Sequence, residues 1–364
     1  MNRFQILVAT KKGLLIGESD YAERGRWQFR DPAFLGWQVD FAMRDSRNGR
    51  VWAALSHMQW GPHLHYSDDG GDTWEESEAP SFTSVADGDA SLERIWTIEP
   101  GAASEPDRIY AGVDPAALFI SDDGGKRWEI CNALWNHESR EQWSPGAAGL
   151  TLHHIQIDPR DPAHIYVAVS AAGTFETVDA GHHWAPRNRG VAADYLPRRG
   201  EEEVGQCVHN LALHPAQPDR LYQRSHDGVY RSDDGGGRWR DIGAGLPSAF
   251  GFAATIDPHD AETYFVIPLQ FDQARVPVEG RLRVYRTSDG GATWLPLEDG
   301  LPQNNAFQGV YRQALTTDTA TPLGVYFGTS GGHVYASQDG GATWRELLDH
   351  LAPVTAVRVN EIAG

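Results

Sequence analysis

Cysteine is nearly missing from this chain: Cys131 and Cys207 are the two among 364 residues, and neither belongs to a Cys-x-x-Cys pair. That excludes a disulfide scaffold and gives no reason to expect a thiol-bound zinc. Cationic residues are also short: 31 Lys and Arg stand against 50 Asp and Glu, a formal net charge of −19. No Lys/Arg block offsets it, so nucleic acid and anionic membrane surfaces are excluded as general partners. No apolar run approaches about 18 residues, the scale of a spanning helix. The opening Met1-Asn2-Arg3-Phe4-Gln5-Ile6-Leu7-Val8 is strand-like and lacks the layout of a signal peptide. A soluble, cytoplasmic, monomeric protein is expected. Walker and dinucleotide fingerprints are absent, so no nucleotide or flavin is expected.

What is present is a repeat. Ser67-Asp68-Asp69-Gly70-Gly71-Asp72-Thr73-Trp74 follows the pattern Ser/Thr-x-Asp-x-Gly-x-x-Trp, which returns at Ser121 to Trp128, Thr177 to Trp184, Ser232 to Trp239, Thr287 to Trp294 and Ser337 to Trp344. The spacing of about 55 residues is that of propellers and arrays. Each copy lies between short apolar runs, as with Leu118-Phe119-Ile120 before the second, so it reads as a hairpin connection. Asp accepts backbone N–H bonds in such a turn, Gly supplies positive φ, and Trp lays an apolar ring between neighbouring sheets. Turn chemistry accounts for every required residue, which speaks against a carboxylate catalyst repeated six times.

At these residues the chain resembles the Asp-box (bacterial neuraminidase repeat) superfamily. That group holds sialidases, two-propeller xyloglucan hydrolases, sortilin-type receptors and photosystem assembly factors. The resemblance covers nearly the whole chain and implies a β-propeller, with the boxes on the face away from any active site. Against the sialidases, Phe29-Arg30-Asp31-Pro32 stands where their Phe-Arg-Ile-Pro motif is expected, and Arg94 and Arg312 supply two arginines towards a substrate carboxylate.

Around each box the chain reads as four strands. Ile155-Gln156-Ile157-Asp158-Pro159 with Ile165-Tyr166-Val167-Ala168 shows the first two of one unit, and Thr255-Ile256-Asp257-Pro258 with Tyr264-Phe265-Val266 shows them in another. The boxes give six blades. A seventh lies at the N-terminus, where Ser19-Asp20 and Gly25-Arg26-Trp27 form a degenerate box. That blade lacks a first strand, and Val354-Thr355-Ala356-Val357-Arg358-Val359 is left over at the far end. The expected fold is all-β: one domain over 1–364, a single seven-bladed β-propeller of four-stranded antiparallel blades, its ring closed by the C-terminal strand joining the N-terminal blade.

Aligning the units on their first strands puts Thr355, Asp40, Arg94, His153, His209, Phe252 and Arg312 at one equivalent position near the mouth of the central channel. Ionisable groups converging in a concavity are costly unless used or paired. Two readings stand: a hydrated, salt-bridged plug, or a ligand site. His57, His63, His153 and His209 are candidate ligands for a divalent transition metal.

A glycosidase needs two carboxyl groups, about 5–5.5 Å apart for retention or about 6.5–9.5 Å for inversion. Asp40 and Glu93 are the candidates, with Asp114 and Glu176 in reserve and His153 and His209 assisting. Arg94 and Arg312 would hold an anionic sugar, and Trp60, Trp135 and Trp143 would stack on its rings. The function expected is a glycoside-hydrolase-like enzyme with a small-molecule or saccharide ligand at the channel mouth. The alternative is a non-enzymatic platform whose long loops, 129–152 and 185–208, bind a protein or peptide.

Overall fold

The computed structural model describes residues 3–84, 90–146 and 149–362. It is a β-propeller of seven four-stranded sheets. In six of them the strands follow one another in chain order. The seventh runs Val354–Ile362, Arg3–Thr10, Gly13–Asp20, Gln28–Phe29, so the C-terminal strand is innermost in the N-terminal sheet. The pairing is antiparallel from Arg3↔Ile362 to Thr10↔Val354. The expected seven blades and C-terminal closure are both present. Helix is confined, among the described residues, to Asn132–Trp135 and a few 3-10 turns. Among the described residues no helix is long and apolar enough to cross a membrane.

Two compact units make up the chain. The first is Met1–Arg44 with Ile242–Gly364, and the second is Asp45–Asp241. In the first, a core of Ile6, Val8, Phe265, Val284, Leu315, Val325, Phe327 and Val357 is fully buried or nearly so. In the second, Leu118, Ile155, Val167 and Phe175 form one core and Tyr166, Leu211, Leu221 and Trp239 another.

Burial explains why the strands read as they do. Ile165–Val169 is buried at every position, covered on both faces, and therefore reads as a continuous apolar run instead of an alternating one. The fourth strands are exposed at the rim: Arg240–Asp241 and the first two residues of Glu75–Ser77 face solvent. Charged side chains on such an edge discourage pairing with another chain.

The boxes hold the turns as the sequence implies. In the first, Asp69 Oδ1 accepts the Asp72 and Thr73 N–H groups at 3.0 and 2.9 Å, and Ser67 Oγ donates to the same carboxylate at 2.7 Å while accepting the Gly71 N–H at 2.7 Å. The same Ser/Thr-to-Asp and Gly-to-Ser/Thr pair occurs at Ser121, Thr177, Ser232, Thr287 and Ser337. Donors converging on the acceptor depress its pKa: the Thr293 hydroxyl and N–H, with the Thr287 hydroxyl, hold the Asp289 carboxyl down to about 2. Several box tryptophans also rivet blade to blade. Trp128 Nε1 donates to the Glu78 carbonyl, Trp239 Nε1 to that of Arg187, and Trp294 Nε1 to that of Ile242.

Candidate functional site

The innermost strands carry bulges, and the bulges place the candidate residues. In the sheet of Leu152–Ile157, Leu152 pairs with Val169 and His154 with Ala168, so His153 is the extra residue. In the sheet of Val208–His214, Val208 pairs with Ser225 and Asn210 with Arg224, which makes His209 the extra residue. Thr355 holds the same slot between Val354 and Ala356. Bulges re-aim a side chain at sheet edges and rims. The sequence alignment of these three positions is therefore physical. It slips at Arg94: in that sheet the bulge falls on Trp96, between Ile95↔Val113 and Thr97↔Gly112, and Arg94 pairs with Asp114. Arg94 lies beneath the Trp96 ring, 5.0 Å from its centroid.

His153 is fully buried and both its nitrogens are engaged. Nε2 lies 2.9 Å from the Val208 carbonyl and Nδ1 lies 2.6 Å from His154 Nδ1. His154 Nε2 in turn lies 3.1 Å from the Asn210 amide nitrogen. The carbonyl only accepts, so His153 carries its proton on Nε2 and accepts at Nδ1. His154 then donates from Nδ1 and accepts from Asn210. The chain of donors is closed with both imidazoles neutral.

His209 has different company. Its Nε2 is 3.5 Å from Cys207 Sγ, and its ring meets that of His226 edge to face at 5.6 Å. Among the described residues, Cys207, His209 and His226 are the group of three whose donor atoms could hold one ion, all within 4.8 Å of one another. Of the histidines expected at a metal, His209 is in this group and His57, His63 and His153 are not. His63 is tied to Glu76 at 2.6 Å, His57 Nδ1 accepts the Gln59 N–H, and the two His153 nitrogens are committed as above. Sequence reasoning missed Cys207 and His226. The Cys207-Val208-His209 alternation was visible, but the third side chain comes from the hairpin after Gln217–Ser225.

Carboxyl groups gather at the edge of a different sheet. Asp114 ends the strand Ile109–Asp114, opposite Arg94, and its carbonyl accepts the Glu93 N–H at 2.8 Å. Burial pushes the Asp114 carboxyl up to about 6; Arg94 pulls against this and Glu93 adds to it. Gly149, at φ +89°, lets the neighbouring loop lie against this carboxyl, since a Cβ there would meet Asp114 Oδ2 at 2.8 Å. Glu93 is exposed, and its Oε1 accepts the Ser91 hydroxyl at 2.9 Å.

The remaining candidates fall out differently. Trp135 and Trp143 do not present free faces to a sugar. Arg140 sits between them, its guanidinium 4.3 and 4.6 Å from the ring centroids, and Trp143 is buried against Phe175. Trp60 is 62% exposed and stacks on His57, so it keeps an outward surface. Glu176 is bound by His164 at 2.8 Å and by Arg187 at 2.6 Å, an ion network within the blade. In the other unit Asp40 is buried and accepts from the Gln38 amide at 2.6 Å. Arg312 is buried there with its guanidinium over the Phe252 ring.

Comparison with known proteins agrees with this fold. The BNR/Asp-box repeat family matches at residues 65–76. An oligoxyloglucan reducing end-specific xyloglucanase of Emericella nidulans is 27% identical over 155 residues, 40% of this chain and 17% of that protein. Among solved structures, the GH74 enzyme of Niastella koreensis superposes with a TM-score of 0.65 at 16% identity, over 93% of this chain and 51% of that one. YCF48 bound to D1 peptide gives 0.52 at 16% identity, over 86% and 84%. The chain thus spans about half the length of the GH74 enzyme, and its match to the xyloglucanase takes in a smaller share still. The chain is a seven-bladed β-propeller built on BNR/Asp-box repeats.

Proposed function

We propose that this propeller is a glycoside-hydrolase-like enzyme that works at the edge formed by Glu93, Arg94 and Asp114. The observation that carries the reading is the Asp114 carboxyl, held up to about 6 by burial. Such a group is still protonated in weakly acidic solution and can give its proton to a leaving glycosidic oxygen. Glu93, exposed beside it, is the candidate for the second carboxylate that acid–base hydrolysis needs. Arg94 supplies positive charge next to both, which suits a sugar bearing a carboxylate or sulfate. The likeness to a xyloglucanase and to a GH74 enzyme supports a saccharide as the ligand class.

The test is turnover of a panel of neutral glycosides and uronides by the purified chain, with Asp114→Asn and Glu93→Gln alongside. Asp114→Asn should lose kcat by about 100-fold or more, the scale of general acid catalysis. Arg94→Gln should raise KM for the acidic sugars alone. Binding of a saccharide with no turnover of any member would instead make the propeller a carbohydrate-binding platform.

A further inference from the structure

We infer that Cys207, His209 and His226 form a zinc-type metal site, with Cys207 Sγ, His209 Nε2 and a ring nitrogen of His226 as ligands and the fourth tetrahedral position open to solvent or substrate. Its ligands belong to a different sheet from Glu93, Arg94 and Asp114, and metal binding there is read without reference to sugar turnover.

The geometry is the first argument. A tetrahedral ion bound at about 2.3 Å to sulfur and about 2.0–2.1 Å to nitrogen holds those two donors about 3.6 Å apart. Cys207 Sγ and His209 Nε2 already stand 3.5 Å apart. All three donors fall within 4.8 Å of one another, so a small rotation of the His226 ring completes the face of a tetrahedron.

The scaffold is the second. Cys207 stands immediately before the strand Val208–His214 and His209 is the bulged residue near its start, and the bulge re-aims the imidazole so that it meets the thiol. His226 follows Ser225, the cross-strand partner of Val208, which brings it opposite Cys207. Backbone bonds fix this arrangement: the His226 N–H donates to the Cys207 carbonyl at 2.9 Å, Ser225 Oγ donates to the same oxygen at 3.1 Å, and the Cys207 N–H donates to the Tyr195 hydroxyl at 2.7 Å. The Tyr195 ring meets His226 edge to face at 6.2 Å and walls that side.

Donor chemistry is the third. One thiolate with two imidazoles suits zinc, cobalt or copper and is a poor set for magnesium or calcium, which take oxygen ligands. A thiol nucleophile needs one imidazole as base, and here two converge on it. His209 is buried, while Cys207 and His226 are half-buried, so an ion has a route in. On binding, the Cys207 thiol gives up its proton.

The experiment uses the full chain, stripped with a chelator and titrated with cobalt(II). One equivalent should give a thiolate-to-cobalt charge-transfer band in the near ultraviolet, discharged by one equivalent of zinc. The band should vanish in Cys207→Ser, and affinity should fall by about tenfold or more in His209→Gln and in His226→Gln. Each variant is checked for folding by circular dichroism. If one does not fold, imidazole nitrogen resonances of the unaltered chain decide, since zinc should move those of His209 and His226 together. No charge-transfer band, a band that survives Cys207→Ser, imidazole signals unmoved by zinc, or uptake of copper(I) alone would overturn the assignment.

Discussion

His153 Nε2 lies 2.9 Å from the carbonyl oxygen of Val208, the residue that precedes His209 on the next blade's innermost strand. Thr355 Oγ1 makes the same contact with Val39, which precedes Asp40. A bulged residue on one blade thus donates to the backbone of the next. This recurring clasp gives two of the residues at the aligned position a structural job. With His154 and Asn210 closing the donor chain, His153→Ala leaves the Val208 carbonyl and the His154 N–H without their partner. The expected loss is about 1–3 kcal/mol of unfolding free energy, and His153→Thr, which restores a hydroxyl donor as at Thr355, should recover part of it. Urea unfolding measures both. Nitrogen NMR should find His153 protonated at Nε2 and His154 at Nδ1; the opposite tautomers would remove the clasp.

A second prediction concerns the boxes. Ser121 and Ser232 are buried hydroxyls that accept a glycine N–H at 2.9 Å and donate to the box aspartate. Alanine at either orphans a buried N–H and should cost about 1–3 kcal/mol. The two lie in separate blades, so the double variant should lose nearly the sum. Denaturant midpoints of the three variants test this, and two changes under about 0.5 kcal/mol would show that the boxes carry little of the stability.

The third follows from His164, whose Nε2 meets Glu176 at 2.8 Å and whose Nδ1 meets Asp158 at 3.0 Å. The Glu176 hydrogen bond raises the imidazole above its ordinary pKa against the opposing pull of burial, and Asp158 adds to the rise. The folded state therefore holds the proton more tightly than the unfolded one. Its contribution to stability is full below about pH 6.5, the unfolded value, and is lost as pH rises through the higher folded value. His164→Asn should flatten that part of the stability–pH curve and leave stability at high pH nearly unchanged. A curve of the same shape in the variant would contradict the assignment.

How much of this was legible in the chain varies with how local the physics is. The boxes were readable because Ser67, Asp69 and Gly71 satisfy one another within a single turn, and the seventh blade because Ser19 still ties its turn, donating to the Glu23 and Arg26 carbonyls. His153, His209 and Thr355 were aligned correctly because their bulges sit at the same step of the strand. Arg94 was not, since the bulge on Trp96 comes later and shifts the register. Trp135 and Trp143 looked like sugar platforms because the sequence does not say that Arg140 fills the space between them. His226 was invisible as a neighbour of Cys207, since that contact depends on the pairing of two strands.

The central claim rests on Asp114, and one variant tests it through two opposite effects. The unfolded carboxyl ionises near its ordinary value of about 3.9, while the folded one holds its proton up to about 6. Between those values the native state binds more protons, so stability falls as pH rises through that window. Asp114→Asn removes the half-buried charge and should make the protein more stable than the parent above about pH 6, while abolishing glycoside turnover, whose alkaline limb in the parent should lie near that pH. A stabilised and inactive variant is the signature of a group kept for catalysis at a cost to the fold. The measurement to make is therefore thermal unfolding and glycoside turnover of the parent and Asp114→Asn side by side across pH. Raised stability with lost turnover is the predicted result, and a variant that hydrolyses as fast as the parent with the same pH limb would contradict the account.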